Sequence, residues 1–130
     1  MSFPAKDPRE AYLAASVTTA GPAQLLVMLC ERLVLDLERA TGALRAGEPS
    51  RAHEPLVHAQ EIVLELRASL KVDAWDGGPG LAALYDYLYG ELIRANVQKS
   101  LSIAEFGLGV AATLRDTWRD AALQQISQSA

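Results

Sequence analysis

The chain has 130 residues, half of them apolar and 22% charged, with a formal net charge of −4. That length makes one domain and is enough to bury a core without disulfides or metals. The acidic balance argues against a phosphate-backbone partner, which calls for a basic footprint. Mean hydropathy is +0.08, and no run approaches the ~20 apolar residues of a membrane span. The single cysteine, Cys30, cannot close an internal disulfide, which fits a soluble protein of the cytoplasm. Met1 to Pro8 carry no apolar run behind a basic start, so no export signal is expected there.

Apolar residues recur at intervals of three and four, never two, which predicts helices and no sheet. The first helix begins at Gly21-Pro22, where proline's missing N–H is not needed. Leu26, Leu29, Leu33, Leu37, Ala40 and Leu44 line one face, and Gly47 with Pro49 stops it. Leu56, Ala59, Val63, Leu66 and Leu70 mark the second helix. Its start is awkward: Ser50 is a good cap, but Pro55 would then sit inside the helix. Either a short irregular first turn precedes the regular helix, or the helix begins at Glu54-Pro55; the first is preferred.

Gly77-Gly78-Pro79-Gly80 opens the third helix, with Leu81, Leu84 or Tyr85, Leu88, Leu92 and Ala95 on its inner face. Ser102-Ile103-Ala104-Glu105 reads as a capping box for the fourth. Ile103, Phe106, Val110, Leu114, Thr117 or Trp118, and Ala121 follow on one side. Similar helix lengths and short connections predict an all-α, antiparallel up-down four-helix bundle. The expected layout is an N-terminal arm or cap over 1–20, the bundle over 21–122 and a frayed tail over 123–130.

Catalytic constellations are missing. Glu54, His58, Glu61 and Glu65 share a side of the second helix, but a di-metal bundle needs a Glu-x-x-His pair on each of two helices. Here one Glu-x-x-x-His stands alone and reads as a solvated charged face. His53 and His58 are poorly spaced for shared ligation. The glycine-rich loop lacks a Lys-Ser/Thr end, so it is no phosphate cradle. The expectation is a non-enzyme with no metal and no cofactor.

The informative feature is apolar surplus. Val27 and Val34, Met28 and Leu35, Val57 and Leu64, and Leu101 and Leu108 each repeat at seven outside the main stripes, with Ile62 beside them. Tyr89, Ile93 and Val97 form a second stripe on the third helix. Wide stripes can simply make a wide core. Surplus on all four helices points instead to exposed grooves for a partner, and an amphipathic helix is the natural guest. Gly107 and Gly109 either let another backbone come close or are merely tolerated.

Four runs of residues resemble one family in order. Ala11-Tyr12, Val17, Thr19-Ala20-Gly21-Pro22, Leu25-Leu26 and Met28-Leu29 form the first, and Ala59-Gln60-Glu61-Ile62 with Leu66 the second. Leu84-Tyr85-Asp86-Tyr87-Leu88, Leu92-Ile93 and Ala95-Asn96 form the third. Leu114-Arg115-Asp116-Thr117-Trp118 is the last. The pattern resembles the flagellar secretion chaperones of the FliS family from about Ala11 to Ala121. Departures are Cys30 in place of the family's tyrosine, Ser102 to Gly107 in place of a charged, leucine-rich helix start, and Pro55.

The resemblance implies a cytoplasmic chaperone that covers the C-terminal segment of flagellin, prevents premature polymerisation and serves export, with a possible contact to the export apparatus. A helical-bundle chaperone for another secreted or flagellar client is the alternative. Partner contacts are expected from Val57, Leu64, Tyr89, Ile93, Val97 and Leu108 in the surplus stripes, and from Tyr12, Val17, Leu25 and Asn96 in the shared motifs. The arm, with Phe3, Tyr12, Leu13 and Val17, either folds over the guest's groove and is displaced, or touches the guest directly. A client-free chain could also dimerise through its own grooves.

Overall fold

The computed structural model describes residues 22–129, so the arm, including Tyr12 and Val17, lies outside the described residues. Four helices follow one another: α1 (Pro22–Arg45), α2 (His53–Ser69), α3 (Gly78–Gln98) and α4 (Leu101–Ser129). Short 3-10 turns occupy Pro49–Ala52 and Val72–Ala74, and there is no strand among the described residues. α1 packs on α2 and α4, and α3 packs on the same two. Each helix therefore neighbours the next, and the last returns to the first, giving the expected antiparallel four-helix bundle.

The helix ends follow from local chemistry. α1 closes on Gly47 at φ 75°, where the Glu48 N–H bonds to the Ala43 carbonyl at 2.9 Å and the Gly47 N–H to that of Leu44 at 3.1 Å. This Schellman closure uses the backbone region glycine enters without steric cost. The Pro49–Ala52 turn is the irregular entry expected for the second helix. Pro55 then falls in the first turn of α2, where its missing N–H removes no intrahelical bond. α3 closes on Lys99 in the left-handed region at φ 50°.

That closure moves the start of α4. The Ile103 N–H bonds to Ser100 Oγ at 3.2 Å, so Ser100 rather than Ser102 is the cap. Glu105, free of the expected capping box, pairs with Arg45 of α1. At its far end α4 runs past Ala122 to Ser129, through most of the segment expected to fray.

The core is leucine-rich on three helices. Cys30, Leu33 and Leu37 of α1, Leu56, Val63 and Leu66 of α2, and Tyr85, Leu88 and Leu92 of α3 are buried. Tyr85, not Leu84, takes the inner position. Val34 and Ile62, read from sequence as surplus, are also buried. α4 differs: Ala104, Gly107 and Ala111 centre its inner face, while Phe106 points outward. A Cβ on Gly107 would come within 2.8 Å of Leu92 Cδ2 and 3.9 Å of Leu37 Cδ1. Gly107 thus admits leucines of neighbouring helices, not a guest's backbone.

One charge is buried between α1 and α2. The Asp36 side chain is almost inaccessible, with Arg32 Nε 3.6 Å from one oxygen and His58 Nδ1 3.7 Å from the other. His58 thus faces α1 at the edge of the seam. A buried carboxylate stripped of the guanidinium and the imidazole beside it carries a large desolvation cost. Changing Arg32 and His58 together to alanine should cost about 1–3 kcal/mol in denaturant unfolding, and adding Asp36→Leu should recover most of it. Equal stability of the double variant and the native chain would show that the cluster contributes nothing.

Burial also pushes the Cys30 thiol up from 9.0 to about 11, with a smaller contribution from the Glu31 charge. The thiolate is the reactive species. Native Cys30 should therefore resist thiol reagents at neutral pH and react fully once the chain is unfolded. Fast modification of the native chain would place the side chain at the surface.

Candidate protein-binding site

Three polar links cross the α2–α3 seam. Asn96 Nδ2 donates to His53 Nδ1 at 3.0 Å, Gln60 Nε2 to the Leu92 carbonyl at 3.4 Å, and Arg67 Nε to Asp86 Oδ1 at 2.9 Å. His53, Gln60 and Arg67 are seven residues apart, so they form one row along α2 that points at α3. This row was missed in the sequence, although its seven-residue spacing is a readable signal.

The links locate the surplus apolar residues. Val57 stands four after His53 and three before Gln60, and Leu64 four after Gln60 and three before Arg67. Both therefore sit beside the row, on its outer side. On α3, Tyr89 follows Asp86 by three, Ile93 precedes Asn96 by three, and Val97 follows Ile93 by four. Leu64 is 48% exposed, Ile93 36% and Val97 79%, while Val57 and Tyr89 are half-buried. Five of the ten expected contact residues thus share one seam as an apolar strip. From Tyr89 to Val97 it runs about 12 Å, or two turns of a helix laid along it.

The other expected residues separate. Asn96 belongs to the seam, but its amide is engaged with His53 and its carbonyl oxygen accepts from Lys99 Nζ at 2.6 Å. Its role there is to hold the strip's end together. Leu25 is exposed on α1. Leu108 is partly buried against the core, on the α4 flank that Glu105 and Arg119 join to α1. Neither adjoins the strip.

A second apolar feature was not foreseen. Tyr87 of α3 and Phe106 of α4 meet edge to face with ring centroids 6.0 Å apart, and both are exposed. Phe106 was expected inside, because its spacing from Ile103 and Val110 fits a helical stripe. The small-residue face of α4 turns it out.

Among the described residues no three metal-ligating side chains come together, and no helix is long and apolar enough to cross a membrane. What the described surface offers is a rigid bundle with an apolar strip of the kind amphipathic segments lie against. The family described as flagellar protein FliS matches residues 5–125, and the chain belongs to it. It is 30% identical over 116 residues to the flagellar secretion chaperone FliS of Bacillus subtilis (strain 168), an alignment covering 89% of this chain and 86% of that protein.

Leu64 separates a surface role from a core role. Leu64→Asp should leave helicity and unfolding midpoint nearly unchanged, because exposed sites usually shift stability by less than about 0.5 kcal/mol. Leu66→Asp, two residues on and fully buried, should unfold the bundle. Collapse of both variants in circular dichroism melts would make Leu64 a core residue.

Proposed function

We propose that this chain is a cytoplasmic flagellar secretion chaperone that holds the C-terminal segment of flagellin and catalyses no reaction. Family membership supplies the class. The observation that carries the mechanism is the strip of Val57, Leu64, Tyr89, Ile93 and Val97, with Leu64, Ile93 and Val97 open to solvent.

The physics runs from strip to guest. Apolar area removed from water contributes roughly 25 cal/mol per Å². The strip's length suits two turns of an amphipathic helix, whose apolar side would otherwise seek another helix. Covering that side blocks self-assembly of the guest while leaving the contact reversible. A segment that is disordered when free loses chain entropy as it docks, which moderates its affinity. The polar links beneath the strip keep α2 and α3 in fixed register, so the host spends little entropy on binding. Tyr12, Val17 and the rest of residues 1–20 belong to the proposal as an intramolecular cover for the same apolar surface, displaced by the guest.

Titration against full-length flagellin and flagellin lacking its C-terminal segment tests the reading. The full-length protein should bind and gain helicity, and the truncated one should not bind. Leu64→Asp and Val97→Asp should each weaken binding by about tenfold or more, as buried anchor contacts do, with the bundle still folded. Undiminished binding of the truncated flagellin would rule out the proposed guest. Undiminished binding by both variants would move the site off the α2–α3 strip.

A further inference from the structure

The α1–α2 seam is built differently from the strip. On the α1 bank Met28, 61% exposed, and Leu35, 40% exposed, turn outward, with Arg39 beyond them. On the α2 bank Glu54, Glu61 and Glu65 turn out. Arg39 and these three glutamates are exposed and have no ion-pair partner among the described residues.

A furrow runs between the banks. A cleft of 490 Å³ has Arg39 on its α1 side and Glu54 on its α2 side. A smaller one of 280 Å³ sets Arg32 opposite Glu61 and Glu65. The clefts share Arg32 and His58, so they are continuous. Asp36 lines the larger cleft, with its side chain only 2% exposed. Its Oδ2 has no hydrogen-bond partner, because His58 Nδ1 stands 3.7 Å away, beyond bonding reach. A buried carboxylate oxygen without a donor is costly, and this one borders a space that a side chain can enter.

We infer that the furrow is a docking surface for an amphipathic helix with a lysine-rich edge, supplied by a protein other than the occupant of the α2–α3 strip. The helical form follows from the repeat. Met28 and Leu35 on one bank are seven residues apart, as are Glu54 and Glu61 on the other. Met28 to Arg39 and Glu54 to Glu65 each run about 17 Å, or three turns. A helix laid along the furrow meets both rows with seven-residue rows of its own, apolar on one side and charged on the other.

The charge follows from the unpaired groups. Arg32 and Arg51 also line the larger cleft, but Arg51 is bonded to Glu48 at 3.2 Å and Arg32 lies between Asp36 and His58. That leaves three glutamates and one oxygen of Asp36 against Arg39 alone. The complement is a basic edge, with an acidic residue only at the end beside Arg39. Lysine suits the cleft, since its slim apolar stem can pass between the banks and carry an ammonium towards Asp36 Oδ2 and Glu54. Exposed ion pairs add little affinity individually, so the glutamates select the partner and its register. Covering Met28 and Leu35 supplies the driving force.

The inference is independent of the flagellin reading. The row of α2 that points at α3 lies on the opposite flank from His58, which faces α1. A partner in the furrow therefore leaves the strip open, and one chain can hold both at once.

Fluorescence anisotropy with a synthetic amphipathic helix of about 15 residues, leucines on one face and lysines along one edge, tests the furrow on the full chain. The probe should bind, less tightly at high salt, where exposed pairs are screened. Glu54→Lys with Glu61→Lys should weaken binding by about tenfold or more, and that double variant should instead bind a probe with glutamates in place of its lysines. Asp36→Asn should also weaken binding while circular dichroism stays helical. Failure of the native chain to bind the lysine probe overturns the inference, as does failure of the reversed pair to bind. Equal binding of a lysine peptide without leucines would make the furrow a simple cation site, and binding seen only after removal of residues 1–20 would make the arm its occupant; either overturns the inference. So does probe binding lost in Val97→Asp and kept in Glu54→Lys with Glu61→Lys. Flagellin binding, measured separately in Met28→Asp, should be unchanged, so failure of the furrow and failure of the flagellin reading are read in different experiments.

Discussion

The closeness with which α4 can approach the other helices governs this bundle. Gly107 lies where Leu37 of α1 and Leu88 and Leu92 of α3 converge, and a side chain there would collide with Leu92. Ala104 and Ala111, one turn to either side, are also small and fully buried. Large residues on three helices therefore pack against small ones on the fourth, which is how interiors reach high density without strain. Glycine inside a helix costs about 1 kcal/mol relative to alanine. Here that cost sits where a Cβ would press on the tip of Leu92, so a larger residue has to displace that side chain.

The same constraint explains the surface. With Ala104, Gly107 and Ala111 at the centre of α4, the larger apolar residues beside them fall on the flanks, whereas Leu114 further along is buried. Ile103 and Val110 are partly buried there, and Phe106 reaches solvent against Tyr87. α3 presents a flank to each neighbour. Towards α4 it carries Tyr87, and towards α2 it carries Tyr89, Ile93 and Val97. On α4, the apolar surplus is thus the outcome of an inner face that stays small from Ala104 to Ala111.

Legibility in the sequence followed residue size. On α1, α2 and α3 the inner faces are leucine-rich, and three-and-four spacing found them. Over the first half of α4 the pattern was read one residue out of phase, because alanine and glycine carry a weak hydrophobic signal, whereas Ile103, Phe106 and Val110 carry a strong one; Leu114, further along, was placed inside and is buried. The cap of α4 was misplaced for a related reason. Ser102 and Glu105 have capping-box spacing, but the left-handed backbone at Lys99 sets the start of the helix, and lysine gives no warning of such a conformation. In the strip, the apolar members were legible as a second stripe. The polar row behind them was not, since histidine, glutamine and arginine at seven-residue intervals look like solvated surface until the facing helix is known.

α2 shows how these parts coexist. Its inner side, Leu56, Ala59, Val63 and Leu66, is wholly buried and belongs to folding. One flank, His53, Gln60 and Arg67, is bonded to α3 and carries Val57 and Leu64 outside it. The other flank meets α1 through His58 and Asp36, with Glu54, Glu61 and Glu65 beyond, which have no ion-pair partner among the described residues. A helix has room for such a division because 3.6 residues per turn gives each flank its own seven-residue row. Changes on the outer rows leave the inner row untouched, so binding surfaces can vary without loss of the fold. The two flanks also differ in chemistry: aliphatic strip on one side, acidic row on the other. An apolar segment laid on the acidic row would strip water from its carboxylates, so that flank disfavours the kind of occupant an aliphatic strip suits.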